Sequence, residues 1–113
     1  MAGDTTPGQL LGTLAYMSPE QLRGLPPAPS WDVWALGVIA YEMLTGTHPF
    51  AGGLQRLTDL EARRVAPTGM HLGTHAPRWD ALFARVLSPD AANRPATPRE
   101  WLSLFEETLA DTA

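Results

Sequence analysis

The sequence predicts an all-helical fold, and three observations indicate it. Residues 33–44 form an apolar run in which Glu42 is the only charged residue. Apolar residues recur at helical spacing near residues 79–87 and 101–109, and no stretch shows the alternation of a strand. A run that is apolar on every side leaves no face for water, and this one is too short to cross a bilayer, which takes about 20 apolar residues. We therefore expect residues 31–44 to form a buried central helix.

The composition is that of one small domain. The chain has 113 residues, of which 44% are hydrophobic, and this is enough for a real core. The net charge of −4 and the scattered basic residues argue against nucleic-acid binding. The absence of cysteine excludes disulfides, thiolate metal sites and a cysteine nucleophile. No basic segment followed by an apolar run opens the chain, so we expect no membrane segment and a cytoplasmic location.

The N-terminal part of the chain should be loop-rich. Residues 1–9 are small and polar and are expected to form a flexible tail, with one domain over residues 10–111. Residues 10–17 are mixed apolar and should form a packed loop. Residues 18–24 predict a short helix, because Ser18 can cap it, Pro19 suits the first helical position and Gly24 can end it.

The central helix has a predicted start and stop. Residues 25–29 contain three prolines and are expected to be a stiff connector. Ser30 is the expected N-cap, and Gly46 is the expected end. Residues 47–53 are rich in turn formers and predict a link.

The region after this link should contain one helix and one loop. Residues 54–65 have an amphipathic pattern that predicts a helix. Residues 66–75 carry one proline and two glycines and predict a loop. His71 and His75 are four residues apart, but Gly73 between them and the lack of a nearby carboxylate favour that loop over a metal site.

Two more helices close the chain. One is predicted over residues 77–87, and a proline-containing link over residues 88–96 follows it. The last helix opens with the capping-box spacing of Thr97 and Glu100, with Pro98 at its first position. Its expected buried stripe consists of Trp101, Leu104, Phe105 and Leu109.

Three motifs, in order, resemble a serine/threonine protein kinase domain. Residues 12–20, Gly-Thr-Leu-Ala-Tyr-Met-Ser-Pro-Glu, resemble the end of a kinase activation segment. Residues 32–50, ending Thr-Gly-Thr-His-Pro-Phe, are similar to the long central helix of the kinase C-terminal lobe and its exit turn. Residues 93–95, Asn-Arg-Pro, resemble the Arg-Pro signature near the end of that lobe. The resemblance implies the helical part of the C-terminal lobe, with about five helices around the buried central helix.

The resemblance implies supporting roles for five residues. Glu20 is expected to pair with Arg94, which would tie the activation segment to the base of the lobe. Asp32 is expected to accept hydrogen bonds from the backbone of a catalytic loop, and a carboxylate suits several N–H donors. Ile39 and Met43, four apart on one helix face, correspond to positions that anchor the hydrophobic spine below the nucleotide.

The resemblance also implies contacts with protein substrates. Thr13 corresponds to the threonine beside the acceptor residue of the substrate and favours serine/threonine substrates. Thr5 and Thr6 lie where activation-loop phosphorylation often occurs, although solvated tail residues are the commoner reading. Residues 1–9 would then be a remnant of the activation loop.

The chain lacks the parts of a kinase that perform phosphoryl transfer. All eight basic residues are arginines, and the sequence has no Gly-x-Gly-x-x-Gly, His-Arg-Asp or Asp-Phe-Gly. The resemblance implies a phosphotransferase that uses ATP and Mg²⁺, but we expect this chain alone to bind neither and to be inactive. The face of the central helix that would meet the missing parts should leave an exposed apolar patch.

Two interpretations remain open. The chain is a segment of an ATP-dependent serine/threonine kinase, with protein substrates and a complementing N-terminal part as its partners. Alternatively, it is a non-catalytic kinase remnant that acts as a protein-interaction module. An upstream sequence with the missing motifs would favour the first interpretation, and stop codons ahead of Met1 would favour the second.

Overall fold

A computed structural model describes residues 14–50, 65 and 67–112, and the regular structure in this part of the chain is helical. The all-helical prediction is confirmed. The α-helices are α1 Pro19–Leu22, α2 Pro29–Thr45, α3 Gly69–Leu72, α4 Ala76–Val86 and α5 Pro98–Thr112, with 3-10 turns at Gly73–His75 and Ala91–Asn93. The predicted tail, residues 54–64 of the helix predicted over residues 54–65, and the candidate residues Thr5, Thr6 and Thr13 lie outside the described residues.

Helix α1 forms as its local chemistry predicts. The Ser18 hydroxyl accepts from the backbone N–H of Gln21 at 3.3 Å, and the Gln21 side chain accepts from the backbone N–H of Ser18 at 2.9 Å. These reciprocal bonds form a capping box, and Pro19 occupies the first turn. Gly24 then takes a left-handed conformation with φ of 74°, which turns the chain away from the helix.

Helix α2 ends as predicted but begins earlier. Gly46 adopts φ of 77° and donates to the carbonyl of Glu42 at 2.8 Å, which closes the helix. The prediction of Ser30 as N-cap is wrong, since Ala28 is the N-cap and has no side-chain hydrogen bond. The reason is Pro29: its fixed φ is preorganised for the first helical position, and Ser30 is drawn into the first turn.

Helix α2 is the centre of the core, but it is covered on one side. Its buried residues are Val33, Trp34, Gly37, Val38, Ala40, Tyr41 and Thr45. The end of α4 covers this side closely, because a Cβ on Gly37 would lie 3.1 Å from a methyl of Val86 and 2.9 Å from a methyl of Leu87, the next residue. The expectation that the helix is buried all round is wrong, since Ile39 is 44% exposed and Met43 is 79% exposed. The apolar run extends around the whole helix, but the described helices cover only one side of it.

The predicted loop over residues 66–75 contains helix α3 and a 3-10 turn, so that prediction is wrong for residues 69–75. Asp80 of α4 organises the start of this region. Its carboxylate accepts from the backbone N–H of Thr68 at 2.8 Å and from the Thr68 hydroxyl at 2.7 Å. A four-residue helix is too short to show a period, and a bond to a residue 12 positions away leaves no local signal.

Helices α4 and α5 confirm the predicted amphipathic pair, although Leu104 and Phe105 of the expected buried stripe are only partly buried. Trp79, Leu82, Phe83 and Val86 of α4 are buried, as is Trp101 of α5. Thr97 accepts from the backbone N–H of Glu100 at 3.2 Å, as the capping-box spacing predicts. Leu109 is 43% exposed, so its place in the buried stripe is wrong. Thr108, seven residues after Trp101, lies on nearly the same side of the helix as Trp101. Leu109 lies about 80° away from Trp101 around the helix and so falls outside the covered side.

Candidate functional site

Glu20 and Arg94 form a buried ion pair between α1 and the segment before α5. Each terminal nitrogen of the guanidinium donates to one carboxylate oxygen at 2.7 Å, so the pair is bidentate. Arg94 is 4% exposed and Glu20 is 8% exposed. A planar guanidinium matches a carboxylate in this geometry, and charge-assisted bonds of this kind are stronger than neutral ones. The structure thus brings together two residues 74 positions apart in the sequence.

Arg94 also reaches two further segments. Its Nε donates to the carbonyl of Ser88 at 2.9 Å, and one terminal nitrogen donates to the carbonyl of Ser30 at 3.2 Å. Its guanidinium carbon lies 5.0 Å from the centre of the Trp34 ring, within the range of a cation–π contact. One side chain therefore connects α1, the start of α2 and the link after α4.

The ion pair determines the ionisation of Glu20. Burial alone raises the pKa of this carboxyl, but hydrogen bonds from Arg94, from Ser30 and from the backbone outweigh it. The pKa of Glu20 falls from its ordinary value of 4.5 to about 2. The folded state therefore favours the carboxylate more strongly than the unfolded state does.

This shift predicts a loss of stability in acid. Because the pKa of Glu20 is lower in the folded state, its contribution is complete above pH 4.5 and is lost as the pH falls towards 2. The shift corresponds to at most about 3 kcal/mol of unfolding free energy at neutral pH, less what solvent screening removes. Urea unfolding at several pH values should show Glu20→Gln less stable than the parent at pH 6, with the difference shrinking between pH 4.5 and 2. A difference that stays constant over this range would contradict the assignment.

The uncovered side of α2 carries the other predicted supporting residues. Asp32, Leu36, Ile39 and Met43 follow one another at spacings of four, three and four residues, and we call this stripe the open face. Asp32, Ile39 and Met43 are exposed, and Leu36 is half-buried. Asp32, Leu36 and Ile39 line a groove of about 330 Å³ together with Ala35 and with Pro98 of α5. An apolar groove with a carboxylate at one end can bind an apolar segment and hydrogen-bond donors at once.

A second contact region lies at the other end of α2 and was missed by the sequence reasoning. The Tyr16 hydroxyl donates to the Glu42 carboxylate at 2.7 Å. This bond, with smaller contributions from burial and from the charge of Glu42, raises the pKa of Tyr16. Nε2 of His48 bonds to the carbonyl of Ala15 at 2.7 Å. The sequence feature that could have indicated this region is Glu42, because a single charged residue in an apolar run is rarely buried without a partner.

Neither a cluster of metal-ligating side chains nor a membrane-spanning helix occurs in the described residues. No group of three or more His, Cys, Asp or Glu side chains that could hold a metal occurs in residues 14–50 and 67–112. No helix in that part of the chain is long and apolar enough to span a membrane. The geometry consists of the buried pair of Glu20 and Arg94, the open face of α2 and the bonds to residues 15 and 16.

Comparison with known proteins gives this architecture a family. A model of the protein kinase domain matches residues 1–110. The chain belongs to the protein kinase family. The helical structure of its described residues agrees with the helical C-terminal lobe of such kinases, and the resemblance seen in the sequence motifs is confirmed.

Several bacterial serine/threonine protein kinases are similar to this kinase chain. It is 54% identical over 106 residues to the serine/threonine-protein kinase PknD of Chlamydia felis, covering 93% of the chain and 11% of the relative. It is 38% identical over 101 residues to PknL of Mycobacterium tuberculosis, covering 84% of the chain and 24% of the relative. The chain therefore spans about a tenth to a quarter of the length of these relatives.

Proposed function

We propose that this chain is the helical C-terminal-lobe part of a serine/threonine protein kinase. Joined to a nucleotide-binding part, it would serve the transfer of the γ-phosphoryl group of ATP to serine or threonine of protein substrates. The single observation that carries this proposal is the open face of α2, where Asp32 stands at the end of an exposed apolar stripe. Family membership and the similarity to bacterial serine/threonine kinases support it.

The residues of this chain do not fit ATP or Mg²⁺ by themselves. Phosphoryl transfer in kinases needs a lysine on the nucleotide, a Gly-rich loop, a catalytic aspartate and Mg²⁺ ligands. The sequence has no lysine and none of the corresponding motifs. In our proposal the complementing part holds the nucleotide and the metal, and this chain alone is inactive.

The chemistry assigned to this chain is positioning. The Asp32 carboxylate would accept backbone N–H groups of the catalytic loop, and its two oxygens allow several such bonds. Ile39 and Met43 would pack beneath the nucleotide-binding part, where burial of their exposed side chains favours association. Thr13 would lie beside the acceptor residue of the substrate, and phosphorylation of Thr5 or Thr6 would order the activation loop through arginine contacts.

A chimera tests this proposal. The chain replaces the matching segment of the kinase domain of Chlamydia felis PknD, to which it is 54% identical. We expect the chimera to transfer labelled phosphate from ATP to serine or threonine of a general acceptor such as casein, and the isolated chain to transfer none. The physical reason is that the chimera restores the nucleotide and metal ligands above the open face.

Two controls make the result interpretable. The unmodified PknD domain must be active, and thermal unfolding must show that the chimera folds cooperatively. A folded but inactive chimera beside an active PknD domain would overturn the proposal and would favour the interaction module. Transfer by the isolated chain, after removal of any contaminating kinase, would contradict the claim that it is inactive alone.

A further inference from the structure

His48 has both ring nitrogens engaged, and the two partners assign its tautomer. Nε2 lies 2.7 Å from the carbonyl oxygen of Ala15, which can only accept, so Nε2 carries the hydrogen. Nδ1 lies 3.1 Å from the backbone nitrogen of Phe50, which can only donate, so Nδ1 is bare. His48 is therefore the neutral Nε2–H form, with its orientation set from both sides.

The loop that carries His48 is itself held firmly. Phe50 is buried, and its ring stacks on the Trp34 ring with centroids 5.5 Å apart and planes 5° apart. Thr45 donates to the carbonyl of Tyr41 at 2.8 Å and accepts from the backbone N–H of Thr47 at 3.2 Å. Nδ1 of His48 is thus bonded to a residue that is fixed in the core, and Nε2 bonds to the segment that precedes α1.

Two bonds connect the segment of residues 14–17 to the end of α2, and they differ in environment. The bond between Tyr16 and Glu42 joins two side chains and is exposed to water. The bond between His48 and Ala15 is partly buried and is made to the backbone carbonyl of Ala15, so it orients that carbonyl directly. The backbone N–H of Met17 closes a turn on the carbonyl of Leu14 at 3.1 Å, so the segment moves as one unit with the Ala15 carbonyl.

We propose that His48 is a positioning residue, which sets the backbone of residues 14–17 next to the bound protein substrate by holding the carbonyl of Ala15. This inference rests on the proposed kinase function, because Thr13, the residue proposed to lie beside the acceptor, immediately precedes the segment. In this role His48 would act through the backbone of residues 14–17 and not by contact with substrate or nucleotide. Its effect should therefore fall on the use of protein substrate and leave the use of ATP unchanged.

Two amide variants each keep one of the two hydrogen bonds of His48 and remove the other. In His48→Gln the side-chain amide nitrogen falls at the position of Nε2 and keeps the bond to Ala15. In His48→Asn the side-chain oxygen falls at the position of Nδ1 and keeps the bond to Phe50 but cannot reach Ala15. If His48 is a positioning residue, His48→Asn should impair the use of protein substrate and His48→Gln should resemble the parent. If its role is only structural, the activity of each variant should change only as its stability changes.

In the active chimera, His48→Asn should raise the KM for casein about fivefold, which is the factor that the loss of one ordinary hydrogen bond produces. The KM for ATP should stay unchanged, and His48→Gln should restore the KM for casein to within about twofold of the parent. Equal KM values for casein in the parent and in His48→Asn would overturn the proposal.

A second measurement on the isolated chain separates this inference from the proposed function. Nitrogen-15 NMR should show His48 as the Nε2–H tautomer, and amide exchange at Met17 should be about fivefold faster in His48→Asn than in His48→Gln. A hydrogen on Nδ1, or equal exchange in the two variants, would overturn the inference even where the chimera is active. If the NMR result is as expected but the folded chimera is inactive, the kinase function is rejected, and the role of His48 towards the substrate is rejected with it. Only the contact between His48 and Ala15 would then stand.

Discussion

Replacing Arg94 with alanine is expected to lower the free energy of unfolding by about 3–5 kcal/mol, the range seen when one partner of a buried ion pair is removed. The variant leaves the Glu20 carboxylate buried without its bidentate partner. It also removes the donors to the carbonyls of Ser88 and Ser30 and the contact with the Trp34 ring.

Urea unfolding followed by tryptophan fluorescence measures this loss. Arg94→Lys serves as the graded variant, because it keeps a positive charge but loses the planar fork, and it should fall between the parent and alanine. Arg99→Ala serves as the matched control, since Arg99 is exposed in the first turn of α5 and its removal should change stability by less than about 0.5 kcal/mol. A loss below 1 kcal/mol for Arg94→Ala would show that the pair is dispensable.

Local chemistry predicted the elements whose signals lie within a few residues. The N-cap at Ser18, the end of α2 at Gly46 and the amphipathic face of α4 each follow from neighbouring side chains and backbone preferences. Ser30 shows the limit of such reasoning, because a proline one residue earlier sets the helix start more strongly than a capping hydroxyl.

Contacts between distant residues could not be predicted from patterns. The pairing of Glu20 with Arg94 was expected from the family resemblance, and nothing in the spacing of two residues 74 positions apart indicates it. The link between His48 and Ala15 spans 33 positions, and no pattern marked either residue as its partner. An apolar run shows how hydrophobic a helix is without showing which side its neighbours cover. The exposed patch on α2 was therefore expected from the family resemblance and not from the run itself.

The second large effect concerns Asp32. We expect Asp32→Asn to lower the kcat of the chimera at least about 100-fold, because a catalytic loop that loses its anchor shifts relative to the substrate, and small displacements cost factors of this size. The amide keeps the shape of the side chain but loses the charge that makes it a strong acceptor of N–H groups. In the isolated chain the residue is exposed, so its replacement should have little effect on the fold.

A simpler role for Asp32 makes a different prediction. A carboxylate in the first turn of α2 interacts favourably with the helix dipole, a contribution of about 0.3–1 kcal/mol. If this were its whole role, Asp32→Asn would lower the stability of the isolated chain by that amount and leave the kcat of the chimera unchanged. Glu106→Gln, at an exposed carboxylate of α5, is the matched control and should change neither quantity.

The kcat of the chimera, compared between the parent and Asp32→Asn at equal folded fraction, is the most direct test of the open face as a support for kinase chemistry. The account predicts a loss of about 100-fold or more in the chimera, with the unfolding free energy of the isolated chain within about 1 kcal/mol of the parent. An unchanged kcat in a folded Asp32→Asn chimera would contradict it.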